Sequence, residues 1–387
     1  MAERIVLFGA TGYTGRLTAA AMVARGLKPV LAARDRARVE ALAAELGGLE
    51  ARTADVADPP SVAALVEPGE VLVSTVGPFT RFGAPAAAAA SARGVHYIDS
   101  TGEPPFIREV FERYGVAAER AGCGMLTAFG YDFVPGNLAG AIALEEAGEE
   151  AVRVDVGYFV TGRAGRNSIS GGTQASLLAI ANAPGFAFRD GRVCDERASK
   201  KVRSFPVGAK QRQAISVPAS EHFGLPRLAP QLREVNAYLG WFGPASRVVQ
   251  GASAVGALAM KLPGAEGLWS SASERLGKGS SGGPDADTRA QSGSHITALA
   301  YDASGRQLSE VHVSGIDAYT FTGRILAWGA DRVANGALRG VGALGPVDAF
   351  GLEELRQGCA EAGLAQEGYR TPSSNGSSAA TAATAQG

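Results

Sequence analysis

The chain has 387 residues and a formal net charge of −1, so it has room for two domains and no excess charge to draw a polyanion such as nucleic acid. Hydrophobic residues make up 46% and charged residues 19%, which excludes an extended disordered chain and requires a packed globular core. Cys123, Cys194 and Cys359 are odd in number and lack metal-ligand spacing, so they read as reduced structural thiols of a cytoplasmic protein with no metal.

The first apolar run, Ile5-Val6-Leu7-Phe8, has strand composition and breaks at glycine, too short for a secretory leader. GATGYTG follows, then an alanine-rich stretch with helical spacing that stops at Gly26. Three glycines thus stand where a strand turns into a helix. Gly9 permits the sharp turn, Gly12 lets backbone approach a pyrophosphate, and Gly15 lets helix pack on strand. The N–H groups of the helix's first turn face the anion. A dinucleotide cradle is predicted over Gly9, Ala10, Thr11, Gly12, Tyr13, Thr14 and Gly15; the alternative is a plain tight turn.

A second apolar run, Pro29 to Ala33, ends on Arg34-Asp35-Arg36. A guanidinium at that tip grips a 2′-phosphate, so NADP(H) is the predicted cofactor. Asp35 keeps NAD open, and a solvated charge cluster opening the next helix is the bland reading.

The rhythm continues with a third strand over 50–56 that carries Asp55 at its end. A fourth over 71–76 is followed by the GPF turn. A helix over 84–93 leads to a fifth strand over 95–99, and a helix over 106–121 to a sixth over 125–129. Strands alternating with helices predict an α/β fold with a doubly wound parallel sheet. Ligands bind such sheets outside the carboxyl ends of the strands. GATGYTG, the turn Thr75, Val76, Gly77, Pro78 and Phe79, and Ser100 in DSTGE should therefore share one rim.

Candidates for the chemistry follow the same strands. Glu103 is either a proton donor raised by burial or a cap for the helix beginning at Pro104. Tyr131 donates a proton or packs. Asp132 serves the GYDFVPG turn, His96 lies at the opposite end of its strand, and Arg163 and Arg166 bind an acidic group or solvate a loop.

From about Asn137 the texture changes. VRVDVGYFV (152–160) reads as a strand, and SISGGTQASLLAIAN as a Gly/Ser-rich bend. HITALAYDASGRQLSEVHVSGI reads as a hairpin around Ala303-Ser304-Gly305, giving a second mixed domain with a largely antiparallel sheet. Residues 278–294 read as a flexible surface connection, and the Ser/Ala-rich end as disordered. The uncharged run VVQGASAVGALAMKL (248–262) is too short and too rich in small residues for an integral membrane segment. It suits core or interface, so a homodimer is expected.

GATGYTG, VSTVGPF, HYIDSTGE, GYDFVPGNLAG, SGGTQASLLA and GIDAYTFTGRILAWGADRVANG together resemble the saccharopine dehydrogenase-like oxidoreductases, a group that includes trans-acting enoyl reductases. The resemblance spans most of residues 4–365. It implies an NADP-binding Rossmann domain over 1–135, a substrate and dimerisation α+β domain over 136–322, and a segment over 323–370 that returns to the first domain, with 371–387 as a tail. It places cofactor contacts on Gly9, Thr11, Gly12, Tyr13, Thr14, Arg34 and Thr75 to Phe79. Many relatives carry phenylalanine and serine where this chain has Tyr131 and Phe133. The function it implies is NADPH-dependent reduction of an enoyl C=C bond on an apolar polyketide- or lipid-like small molecule. The alternatives are reductive C–N chemistry on an imine, and a cofactor-binding scaffold without catalysis.

Overall fold

A computed structural model describes residues 4–162, 185–241, 243–259 and 282–369. The SGGT bend, Arg163, Arg166, the end of the 248–262 run and the Ser/Ala-rich tail lie outside the described residues.

Strand β1 (Ile5–Phe8) is buried throughout. Its side chains alternate between two cores: Ile5 and Leu7 join the one holding Phe129 and Trp328, Val6 and Phe8 the one holding Tyr97 and Phe106. Period-two alternation with both faces covered is what a parallel sheet between two helical layers requires. β2 (Val30–Ala33), β3 (Ala51–Thr53), β4 (Val71–Ser74), β5 (His96–Asp99) and β6 (Gly124–Leu126) complete the series. With the late strand β15 (Gly342–Ala343) they form a parallel sheet of order β15-β6-β5-β4-β1-β2-β3. The order 3-2-1-4-5-6 reverses between β1 and β4, which opens a ligand crevice there.

β3, β4 and β6 each end earlier than predicted; β3 ends at Thr53, so Asp55 lies beyond the strand. β4 ends at Ser74 because the Thr75 hydroxyl turns back to the carbonyls of Phe8 and Gly9. β6 ends at Leu126 because Ala128 has φ +56° and donates its N–H to the Asp99 carboxylate instead of continuing the ladder. The helix predicted over 106–121 begins at Pro104 and contains a π-helical turn, Val110–Tyr114, followed by Gly115–Ala121.

The second sheet is mixed. It runs β10 (Val202–Val207), β11 (Lys210–Val217), β12 (Glu234–Leu239), β7 (Arg153–Gly162), β13 (Ser292–Tyr301), β14 (Gln307–Gly315) and β16 (Leu364–Gln366), with β8 (Phe186–Arg189) pairing β12 and β9 (Arg192–Asp195). Only β12 and β7 run parallel within it. The β13–β14 hairpin turns where the sequence indicates: Asp302 Oδ1 accepts the N–H groups of Ser304 and Arg306, and Gly305 takes φ +87°.

Helix α1 (Tyr13–Ala24) follows β1, α2 (Arg36–Glu45) follows β2, and α3 (Val134–Ala147) leads into the second sheet; α4 (Glu221–Leu228) packs on α3. Helix α5 (Ala318–Ala334), N-capped by Asp317, lies on α1, where Gly323 brings its backbone against Leu17. The chain then adds β15 to the first sheet and β16 to the second, so its last described segment stitches the two sheets together.

Candidate active site

Each glycine of GATGYTG has its own steric reason. Gly9 has φ +89°, and a Cβ there would stand 2.7 Å from Thr75 Oγ1. A Cβ on Gly15 would overlap the carbonyl oxygen of Gly9, so helix and strand meet only through glycine. Gly12 is exposed, and a Cβ on it would find just the Gly9 oxygen, at 3.3 Å. It faces open space. The first turn of α1 has no side-chain cap and no acidic residue, leaving its N–H dipole for an anion. A pyrophosphate fits a cradle that is glycine-lined, positive and empty of side chains.

At the tip of β2, Arg34 is exposed, and it makes no hydrogen bond or ion pair among the described residues. Asp35 is committed elsewhere: its carboxylate N-caps α2 through the Arg38 N–H at 3.1 Å. That leaves the guanidinium as the uncommitted group of the two. Asp55 organises its own loop, accepting the Ala57 N–H at 2.9 Å while its backbone N–H meets Ser61 Oγ at 3.0 Å.

Glu103 is buried, and its carboxylate spans to the turn after β4. Oε1 accepts the Phe79 N–H at 2.7 Å; Oε2 accepts the Thr80 N–H at 2.9 Å and its hydroxyl at 2.6 Å. The helix that starts at Pro104 receives no side-chain cap from Glu103. The carboxylate caps the short helix Phe79–Phe82 instead, and so sets the shape of the GPF turn. Ser100 is partly exposed at the end of β5. Asp99 knits the ends of β5 and β6 together, accepting from Thr101 N–H, Ala128 N–H and Thr127 Oγ1 at 2.9 Å each. Burial still pushes its carboxyl up to about 6. His96, at the start of β5, accepts the Gly124 N–H through Nδ1, a structural contact.

Beyond Glu103 lies a buried acid cluster that no spacing in the sequence signals. A Cβ on Gly102 would stand 2.9 Å from Asp132 Oδ2, so Asp132 adjoins the β5 turn. Burial pushes its carboxyl up to about 6, and Oδ1 has no hydrogen-bond partner in the protein. The Tyr131 ring meets the Tyr158 ring edge-on at 5.7 Å, and its hydroxyl adjoins Ser294 Oγ, neither making a well-formed hydrogen bond among the described residues. Burial raises the Tyr131 phenol above its ordinary value. Tyr158, from β7, hydrogen-bonds Glu221 Oε1 at the start of α4, while Glu221 Oε2 has no partner. Burial, with Asp132 nearby, pushes the Glu221 carboxyl up to about 8. Gly136 allows this meeting, because any Cβ there would collide with the Tyr158 hydroxyl and Glu221 Oε1.

Residues 5–125 match the saccharopine dehydrogenase NADP binding domain. They are an NADP-binding domain of the saccharopine dehydrogenase type. Over 182 residues the chain is 36% identical to a Mycobacterium tuberculosis protein grouped by its name with the trans-acting enoyl reductases, covering 46% of this chain and 43% of that one. It is 35% identical over 140 residues to a trans-acting enoyl reductase of Mycobacterium ulcerans, covering 35% and 34%. The matched stretches thus span less than half the length of these curated relatives. In fold, the chain resembles the apo saccharopine dehydrogenase (L-Glu forming) of Saccharomyces cerevisiae, with TM-score 0.58 and 14% identity over 94% of this chain and 99% of that one.

Within this saccharopine dehydrogenase-type domain, Tyr13 opens α1 and is held from outside the sheet. Arg289 Nη1 donates to the Tyr13 hydroxyl at 2.9 Å, the hydroxyl donates to the Pro284 carbonyl, and Gly283 lies against the ring. The segment entering β13 therefore rests on the NADP cradle. Arg34→Ala should weaken NADPH binding by about 1.5–3 kcal/mol, the worth of a charged hydrogen-bonded contact, and leave NADH nearly unchanged. Parallel titrations with both cofactors test this; equal losses would remove Arg34 from the site.

Proposed function

We propose that the protein is an NADPH-dependent reductase that saturates the enoyl C=C bond of a polyketide- or lipid-like small molecule. The observation that carries this reading is the single rim on which an NADP cradle, the turn gripped by Glu103 and a buried cluster of protonatable groups adjoin one another. The relatives' names support the reaction class. Bound NADPH supplies the hydride. The chain's part is to place the cofactor through Gly12 and Arg34, to fix the turn beside it through Glu103, and to hold protons at Tyr131 and the acid cluster. Tyr131 is the candidate donor, and Glu103 acts by positioning. Gly9, Ala10, Thr11, Tyr13, Thr14, Gly15 and Thr75 to Phe79 complete the cofactor contacts.

Several cations of the second sheet are matched, while Arg212 on β11 has no carboxylate partner among the described residues and donates to the Val160 carbonyl. Arg153 and Arg203 meet Asp155, Arg189 meets Glu196, and Lys201 meets Glu234. The preference for an enoyl over an imine substrate rests on the names of the relatives. No helix among the described residues is long and apolar enough to cross a membrane. We place the protein in the cytoplasm as a homodimer joined through the helix Ser246–Ala259, whose Val248 is 73% exposed.

The test compares NADPH consumption with a trans-2-enoyl thioester and with a 2-oxo acid plus an amine. Turnover of the thioester alone is expected. Turnover of the oxo acid with C–N bond formation would overturn the enoyl reading, and a bound cofactor that turns over with neither would return the protein to a scaffold.

A further inference from the structure

Four buried polar atoms that make no well-formed hydrogen bond among the described residues belong to one neighbourhood: Asp132 Oδ1, Glu221 Oε2, and the adjoining Tyr131 Oη and Ser294 Oγ. A native core rarely leaves such atoms unsatisfied, and several together mark a place where something else makes the bonds. Their surroundings fix what that is. Burial, with a smaller contribution from Asp132, raises the phenols of Tyr131 and Tyr158 and the carboxyl of Glu221, so the cluster resists taking up further negative charge. An anion is therefore disfavoured, and a neutral acceptor is favoured.

We propose that Glu221, held by Tyr158 and flanked by Tyr131 and Asp132, forms a polar subsite that receives the neutral carbonyl oxygen of the substrate by donating a hydrogen bond to it. The subsite rests on the enoyl reading above, since a carbonyl conjugated to the C=C bond is the group it would hold. The proton count supports it. With Glu221 protonated and Tyr158 donating to Oε1, the remaining proton sits on Oε2 and points at no protein acceptor. A protonated carboxyl is a donor, whereas a carboxylate is acceptor only. The location fits as well: Asp132 adjoins Gly102, whose neighbour Glu103 grips the β4 turn, so the subsite lies on the β4–β5–β6 side of the β1/β4 crevice.

The groups that set the titration are few. Glu221 faces Tyr158 on β7 and Asp132 before α3; through Tyr131 the cluster extends to Ser294 on β13 and Arg212 on β11. His222, next in the chain, turns away to Ala219 through Nδ1. Donation should persist while Glu221 holds its proton and fade as pH rises through about 8. The pair titrates as a unit, so the midpoint belongs to the cluster and not to one residue.

The experiment reads the carbonyl itself. A trans-2-enoyl thioester carrying a carbon-13 label at C=O is bound to the full chain without cofactor, and its infrared band is followed from pH 6 to 10. Wild type should shift the band to lower frequency, and the shift should disappear at the alkaline end. Glu221→Gln, which keeps an N–H donor at every pH, should hold a shift that no longer depends on pH. Glu221→Met, similar in length and without a donor, should bind the probe with little shift. Tyr158→Phe provides a second variant that removes only a hydroxyl, and it should shrink the shift. An unshifted band in bound wild type, or a Met variant that shifts like wild type, overturns the subsite and leaves the enoyl reading to stand on turnover. A probe that does not bind wild type overturns the subsite, and with absent turnover it overturns the enoyl reading too.

Discussion

Gly12→Val should lower NADPH affinity by at least about a hundredfold while leaving the melting temperature within a few degrees of wild type, because the valine fills the space that backbone must offer a pyrophosphate. The steric asymmetry of the cradle makes this a sharp expectation. Gly12 has φ −72° and ψ 169°, extended backbone that any residue adopts, and a Cβ meets only the Gly9 oxygen at 3.3 Å. The folded chain therefore has room for valine. The bound cofactor does not. Gly15→Ala is the contrasting control: its Cβ would overlap the Gly9 carbonyl oxygen, so it should cost stability with or without ligand. Titration and thermal melts on both variants separate the cradle from the scaffold. A folded Gly12→Val protein that binds NADPH normally would show that this turn holds no pyrophosphate.

The second large effect belongs to Glu103. Its carboxylate accepts two N–H groups and one hydroxyl, all from the turn after β4. Glu103→Gln keeps the shape but replaces one acceptor oxygen with an NH2 group, which then faces donors. Leaving buried donors unmet around a formerly charged acceptor should cost about 2–4 kcal/mol. The damage should appear together in three readouts: a melting temperature lower by several degrees, weaker NADPH binding and slower turnover. A positioning role predicts that coupling. If the variant keeps its melting temperature and cofactor affinity yet loses turnover by about a hundredfold, the usual scale for a general acid, Glu103 is the proton donor.

Much of the first sheet was legible because its code is local. Short runs rich in apolar residues mark β1, β2, β4 and β5, with glycine directly after β1 and arginine directly after β2. The β13–β14 hairpin was legible for the same reason, since Asp302 and Gly305 build the turn from within it. What was not legible depends on residues far apart in the chain. Glu103 looked like a cap for the helix that follows it, but its partners lie 23 and 24 positions earlier. Nothing local in the sequence marks Glu221 or singles out Tyr158 within its strand; only the packing of α4 on α3 brings the two together around Gly136. Asp35 shows the reverse: read as a possible ribose ligand, it is a helix cap, a role its position before Arg36 already allowed.

The measurement that bears most directly on the central claim follows the hydrogen itself. The protein is incubated with a trans-2-enoyl thioester and NADPH deuterated at the transferable position of C4, and the product is analysed by mass spectrometry and NMR. The account predicts one deuterium per product molecule, at the β-carbon of a saturated thioester, with the α-hydrogen drawn from solvent. Deuterium on a carbon that has gained a nitrogen substituent, or an unlabelled and unreduced thioester beside tightly bound NADPH, would contradict it.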